Sequence, residues 1–160
     1  MREEDKLKLW LGLCEEGAIA EAEEVHEGDD ATKEDRLAEQ EDHEKYLTAR
    51  AASGTLAMAT GADIEVGQAL VKLDVARTLV TLLESSKPEL VHRALVIITE
   101  LASAAEDGEI CRANSVHLVE GGVVAAIGVV LKLGNAQLGG LAREAAQALS
   151  TAIGKTEPRS

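Results

Sequence analysis

Apolar residues recur every three or four positions along most of the chain, the spacing that places them on one face of an α-helix. Few stretches alternate apolar and β-branched residues with polar ones as a half-buried strand would. The pattern therefore predicts an all-α fold. The segments with helical spacing are residues 3–14, 46–60, 64–73, 75–84, 88–105, 108–118, 123–133 and 138–153.

Segment 88–105 has the widest apolar surface. One stripe holds Leu90, Ala94, Ile97 and Leu101, and the adjoining stripe holds Val91, Leu95, Ile98 and Ala102. Two adjoining stripes bury a helix over a wide arc, so we expect this to be the central helix. Pro88 fits its first turn, where a missing N–H costs no hydrogen bond.

Narrower stripes are predicted on two other helices. They comprise Leu7, Trp10, Leu11 and Cys14 in segment 3–14, and Val75, Leu79, Leu82 and Leu83 in segment 75–84. Asp63 and Asp74 precede helices, where a carboxylate accepts the free N–H groups of a first turn. Gly61 is expected to end segment 46–60, because glycine commonly caps a C-terminus.

Segment 46–60 is rich in small residues, which let helix axes approach closely. Its larger packing side chains are expected to be Leu47, Leu56 and Met58. Ser53 lies in Ala-Ala-Ser-Gly rather than in a Gly-x-Ser-x-Gly nucleophile turn, so we interpret it as a packing residue.

An arginine followed by a small apolar helical run occurs three times, at Arg50, Arg93 and Arg143. The spacings are 43 and 50 residues, close to the period of about 40 to 47 typical of armadillo and HEAT repeats. From residue 63 the helices run short, medium, long, and then repeat that order. We therefore predict an armadillo-type right-handed helical solenoid of about two and a half repeats, preceded by an acidic N-terminal loop.

Charge divides the chain unevenly. Residues 1–49 hold 17 acidic and 6 basic residues, a net charge of −11, whereas residues 50–160 carry only −2. We expect an N-terminal helix at 1–14, a flexible acidic insertion at 15–44, armadillo-like repeats at 45–154 and a tail at 155–160. The insertion either keeps the chain soluble or docks a basic partner.

Composition argues against several classes of function. An acidic chain with one Trp, one Tyr and no Phe lacks the cationic and aromatic surfaces that nucleic acids need. No apolar run reaches the roughly 18 to 20 residues of a membrane helix, and the N-terminus has no apolar signal core. Cys14 and Cys111 read as reduced, packed thiols, with a disulfide as the alternative. The expected location is the cytoplasm.

The sequence supplies no catalytic group of residues and no cofactor motif. His26 and His43 each begin a His-Glu pair, but no second histidine follows at zinc-site spacing. No phosphate-binding glycine loop is present. Arg112 beside Cys111 could lower the pKa of that thiol, but we interpret Cys111 as a packing residue. We therefore expect neither an enzyme nor a metal site.

Two runs resemble the UCS domain of the unc-forty-five-type myosin chaperones. They are Thr-Ala-Arg-Ala-Ala-Ser-Gly-Thr-Leu-Ala-Met at 48–58 and Pro-Glu-Leu-Val-His-Arg-Ala-Leu-Val-Ile at 88–97. The resemblance covers residues 46–105 well and residues 106–153 by pattern only. It implies the C-terminal armadillo repeats of a protein that binds myosin motor domains and helps them fold with the ninety-kilodalton heat-shock chaperone. Relatives carry a tetratricopeptide module ahead of this region, and often an asparagine where Glu100 stands.

Armadillo stacks line a concave groove with the third helix of each repeat, here segments 46–60, 88–105 and 138–153. The polar residues that would face a partner are Arg50, His92, Arg93, Glu100 and Arg143. The alternative is that the three arginines make the same intramolecular contact in each repeat. The function alternative is a generic armadillo interaction module with an unrelated protein partner. An exposed stacking face also predicts self-association.

Overall fold

The computed structural model of the chain describes residues 3–20, 33–103 and 108–154. Within these ranges the chain is helical and contains no strand, which confirms the all-α class. The helices are α1 (Glu3–Ala20), α2 (Lys33–Ala62), α3 (Ile64–Lys72), α4 (Val75–Leu83), α5 (Pro88–Ala102), α6 (Gly108–Glu120), α7 (Val123–Lys132) and α8 (Ala136–Gly154).

Helices three apart in chain order are neighbours in space. The long helix α5 packs between α2 and α8, α4 packs between α1 and α7, and α3 packs against α6. Every residue of the two stripes predicted on α5 is buried. Because α5 contacts α2, α4, α6 and α8, it is the central helix of the described fold, as predicted.

The helices α3–α5 recur as α6–α8: α4 and α5 begin 48 residues before α7 and α8, and α3 ends 48 residues before α6 ends. The residues before α4 and α7, Asp74 and Gly122, both have left-handed backbone conformations. The shift of 48 also superimposes the buried positions of the long helices. Leu90, Ala94, Ile97 and Leu101 of α5 correspond to Leu138, Ala142, Ala145 and Leu149 of α8.

The acidic region is more helical than expected. Residues 15–20 continue α1 and residues 33–44 begin α2, so both ends of the expected flexible insertion at 15–44 are ordered helix. Tertiary contacts explain the extension of α1, because Glu15 accepts a hydrogen bond from Thr78 of α4 at 3.2 Å and pairs with Arg77 at 3.4 Å. The rest of that insertion, residues 21–32, and the expected tail at 155–160 lie outside the described residues.

The interface between α1 and α2 is tight. A methyl group at Gly17 would overlap the Cβ of Ala49 and lie 2.6 Å from the Lys45 carbonyl oxygen. Nearby, burial and the adjacent Glu15 carboxylate raise the pKa of the Cys14 thiol to about 12. Cys14 and Cys111 are both buried and neither forms a disulfide, as predicted.

The helices α3 and α4 begin after Asp63 and Asp74, as predicted, but one predicted cap and one predicted helix end differ from the structure. Asp63 caps α3 as expected, with its Oδ1 accepting the Glu65 N–H at 2.9 Å. Asp74 makes no side-chain capping bond, because its left-handed backbone does not aim the carboxylate at the first turn of α4. Gly61 does not end α2, which continues to Ala62.

Candidate functional site

The candidate site is the solvent-facing side of the layer formed by α2, α5 and α8, which we call the helix-layer face. All five residues predicted to meet a partner lie on these helices. They are Arg50 on α2, His92, Arg93 and Glu100 on α5, and Arg143 on α8. Their environments differ, and the differences decide which of them are available to a partner.

Arg50 makes an intramolecular contact across the α2–α5 seam. Its Nε lies 2.6 Å from Oε2 of Glu89, in the first turn of α5. The Tyr46 hydroxyl donates to the same oxygen at 3.2 Å, and the Lys87 ammonium lies 5.4 Å from the centroid of the Tyr46 ring. Glu89 was not predicted as a site residue. Its position beside Pro88 identifies Glu89 as an acidic residue in the first turn of a helix, where a negative charge is favourable. No sequence signal indicates that Arg50 is its partner.

Arg93 and Glu100 also cover the α2–α5 seam, where α2 has glycines. The Arg93 Nε lies 3.6 Å from the position that a Cβ would take at Gly54. The Glu100 Oε2 lies 3.1 Å from the corresponding position at Gly61. Both side chains are half-buried, so they combine packing against α2 with partial exposure to solvent.

His92 and Arg143 are exposed, and within the described residues neither forms a hydrogen bond or an ion pair. The three arginines therefore do not make one repeated contact. Arg50 pairs with Glu89, Arg93 lies against Gly54, and Arg143 faces solvent. The 48-residue register explains this, because it aligns Arg143 with Leu95 of α5 rather than with Arg93.

Arg143 lines an open groove of about 820 Å³ between α5, α8 and the start of α6. The side chain of Asn114 fixes α6 there, because its Nδ2 donates to the Leu101 carbonyl oxygen near the end of α5 at 3.0 Å. The volume lies within the roughly 300 to 1,000 Å³ of typical binding pockets. The polar residues of the groove are Thr99, Ser103, Arg143, Glu144, Gln147 and Thr151. These donors and acceptors, beside small apolar side chains, suit a segment of polypeptide.

The three predicted arginines of the helix-layer face are accompanied by three acids on the same face, Glu89, Glu100 and Glu144. The first half of α2, which belongs to the same layer, is acidic. Met58 belongs to the exposed stripe of α2 with Gly54 and Gly61, and its side chain is 78% exposed. The prediction that Met58 and Leu47 are packing residues is therefore wrong, whereas Leu56 is buried as predicted. Ser53 is also buried, and its hydroxyl donates to the Arg50 carbonyl oxygen at 3.1 Å.

In the described ranges, no group of three His, Cys, Asp or Glu side chains is arranged to hold a metal ion. No single described helix is long and apolar enough to cross a membrane. Only α6 and α7 taken together reach that length and composition, and they meet at a bend of 71°. His26 of the two His-Glu pairs lies outside the described residues.

Comparisons with known proteins do not identify the chain, since no family model, curated protein or solved structure matches it. The resemblance to the myosin chaperones thus remains a prediction.

Proposed function

We propose that the chain is a non-catalytic protein-binding module that acts in the cytoplasm, built as an armadillo-type right-handed solenoid of about two and a half repeats. The 48-residue recurrence of α3–α5 as α6–α8 supports this proposal, as does the packing of helices three apart. In this arrangement α1 and α2 stand in the second and third places of an earlier repeat. Stacked repeats offer extended surfaces that suit a protein partner.

The observation that carries the binding proposal is the groove at Arg143. It combines an exposed guanidinium that lacks a hydrogen bond or ion pair to the described residues with hydroxyl, amide and carboxylate groups along one wall. A guanidinium in this position can bind a carboxylate or a main-chain carbonyl of a partner. His92 and Met58 extend the proposed surface across α5 and α2.

The proposed partner is a myosin motor domain, which the module would help to fold together with the ninety-kilodalton heat-shock chaperone. This part of the proposal depends on the resemblance of residues 48–58 and 88–97 to the myosin chaperones. Those two runs belong to α2 and α5, which pack against each other. Glu100 stands where relatives often have asparagine, and its carboxylate lies over Gly61. We therefore expect the partner to bind nearer to Arg143.

The test is binding of a purified myosin motor domain, measured by titration calorimetry and by suppression of its thermal aggregation. We expect binding by the wild-type chain and at least about tenfold weaker binding by Arg143→Glu, since a charge reversal in an interface costs more than about 1.4 kcal/mol. The matched control is Arg112→Glu, an exposed arginine on α6. Absence of binding by the wild-type chain, or equal losses in both variants, would contradict the proposal.

A second proposal is a generic armadillo interaction module that docks a basic partner on the acidic half of α2. It is favoured by the exposure of Glu39, Glu41 and Glu44 on that helix. Deleting the region would remove ordered helix, so the test replaces these three residues with glutamine. The second proposal predicts weaker binding and a shallower salt dependence for a basic protein partner. Unchanged binding would exclude it.

A further inference from the structure

The start of α4 and the end of α6 meet in a contact that we call the α4–α6 joint. Ala76, in the first turn of α4, packs against Gly121, just after α6, where an added methyl group would overlap the Ala76 Cβ. His117, one turn earlier on α6, reaches the same place, and its Nε2 accepts the Ala76 N–H at 3.3 Å. Because α4 belongs to the first set of three helices and α6 to the second, this joint connects the two sets.

The same nitrogen of His117 lies near two groups with opposite requirements. Besides accepting the Ala76 N–H, the Nε2 lies 3.6 Å from Oδ1 of Asp74. An imidazole nitrogen accepts a hydrogen bond only when it carries no hydrogen, so the contact with Ala76 needs the neutral ring with its hydrogen on Nδ1. A carboxylate is a partner for this nitrogen only when the nitrogen carries a hydrogen, as it does in the protonated ring. Gain of one proton therefore exchanges the amide for the carboxylate as the partner of Nε2.

The backbone at Asp74 separately indicates that its carboxylate has a role. Asp74 has a φ of 59°, and within the described ranges it is the one residue other than glycine with a positive φ. The equivalent residue before α7 in the 48-residue register is Gly122, with a φ of 89°. Glycine adopts this conformation without steric cost, whereas residues with a Cβ are disfavoured there. The first set of helices therefore has an aspartate where glycine would fit the backbone better, and the carboxylate so placed is the one beside His117.

Other charged groups around α6 are directed away from His117 or exposed to solvent. On α4, Arg77 pairs with a carboxylate of α1. Lys72 in the last turn of α3 and Glu120 in the last turn of α6 are both exposed. The charged residues of α5 and α8 belong to the helix-layer face or to the groove at the start of α6, and the single charged residue of α7 is in its last turn. Among the described carboxylates, Asp74 is therefore the one that pairs with His117.

We propose that the α4–α6 joint is a pH-dependent contact, in which neutral His117 caps α4 and protonated His117 releases the Ala76 N–H and pairs with Asp74. Histidine is the side chain whose charge ordinarily changes between pH 5 and 8. Ala76 is completely buried, so its released N–H has little access to water and loses a hydrogen bond without replacement. A positive charge beside the first turn of α4 also opposes the helix dipole. Acidification therefore loosens the connection between the two sets of helices.

Nuclear magnetic resonance of the isotope-labelled chain, from about pH 8 to about pH 5.5, tests this proposal. At the higher pH the nitrogen shifts of His117 should show a hydrogen on Nδ1 and none on Nε2. As His117 gains its proton, the Ala76 amide signal should shift, and after correction for the intrinsic effect of pH its hydrogen exchange should become about fivefold faster, the effect of losing a typical hydrogen bond. The amide of Val124, at the equivalent position of α7, is the internal control and should show neither change. A hydrogen on Nε2 at the higher pH, or an Ala76 amide that does not respond, would overturn the proposal.

Three variants separate the two partners of His117. His117→Gln keeps an acceptor oxygen that does not titrate, so the response of Ala76 to pH should disappear. The matched control is His92→Gln, at an exposed histidine on α5, which should retain the response. Asp74→Gly suits the left-handed backbone and removes the carboxylate, so the response should then need a more acidic solution, because the protonated ring loses its partner. A response that persists in His117→Gln, or one with the same midpoint in Asp74→Gly as in the wild type, would contradict the proposal.

Discussion

Helices α5 and α8 occupy equivalent places in the two sets of three helices. Within the layer of α2, α5 and α8, however, α5 has a neighbouring helix on both sides and α8 has one only on the α5 side. On α5 the second stripe includes Leu95 and Ile98, which are completely buried, and α5 contacts both α2 and α8. The equivalent positions of α8 are Arg143, which is exposed, and Ala146, which is half-buried. The comparison shows that position in the row decides whether a helix has one buried stripe or two.

The largest expected effect is the difference in stability between an alanine substitution at Leu95 and one at its equivalent, Arg143. Leu95→Ala removes a completely buried side chain between two helices and should lower the free energy of unfolding by about 2 to 5 kcal/mol. Arg143→Ala should change it by less than about 0.5 kcal/mol, because Arg143 is an exposed surface residue. Urea unfolding followed by circular dichroism measures both. Similar losses in the two variants would show that α8 is covered like α5.

Alanine substitutions at two glycines test whether α4 and α7 also differ in how far neighbouring helices cover them. Gly121→Ala should destabilise the chain by about 1 to 3 kcal/mol, because the added methyl overlaps Ala76. Gly128→Ala should instead stabilise the monomer by about 0.5 to 1 kcal/mol, because alanine favours helix and the site is open. Thermal unfolding at low protein concentration separates the two effects. A destabilised Gly128→Ala monomer would mean that another part of the chain packs against α7 at Gly128.

A smaller effect concerns the contact that joins the two sets of helices at the start of α4. The His117 Nε2 of α6 accepts the N–H of Ala76 at 3.3 Å and thereby replaces the missing cap of Asp74. His117→Ala should cost about 1 kcal/mol and speed hydrogen exchange at the Ala76 amide. His92→Ala, at an exposed histidine, is the control and should change neither. Unchanged exchange at Ala76 in His117→Ala would rule out this cap.

The smallest predicted effect is a difference in alkylation rate between the two cysteines. The thiolate is the nucleophile in alkylation, and a pKa raised to about 12 leaves Cys14 protonated below that pH. Cys111 lines the groove at α8, whereas Cys14 is completely buried between α1 and α2. Iodoacetamide should therefore modify Cys111 first in the native chain, as peptide mass spectrometry would show. Faster modification of Cys14 would indicate opening of the α1–α2 interface.

The sequence could predict most of the helices and the buried stripes of α5, because those depend on local pattern. Helical spacing locates the buried stripes of α5, and Asp63 is readable as a cap from its position alone. The extension of α1 beyond residue 14 could not be predicted, because the acidic composition that suggests a loop is outweighed by contacts with α4. The hydrogen bond from Thr78 to Glu15 spans 63 residues, and no local pattern indicates it.

The candidate site was predicted in part for a related reason. The sequence indicated that Arg50, Arg93 and Arg143 lie on helices, and those helices, α2, α5 and α8, pack side by side. Their contacts could not be predicted, because a match of short motifs does not fix the helical register. The structural register of 48 residues differs from the arginine spacing of 50, and this shift moves Arg143 from a packed seam to an open groove.

The central claim is that α2, α5 and α8 form an open row. The most direct test is a set of distances among these helices, measured by double electron–electron resonance between pairs of spin labels. Labels at Thr55, His92 and Glu144, all exposed, would replace the native residues in a Cys14→Ala, Cys111→Ala background. Packed helix axes lie about 8 to 10 Å apart, so an open row predicts an α2–α8 distance approaching the sum of the other two. Three similar distances would show a closed bundle and contradict the account.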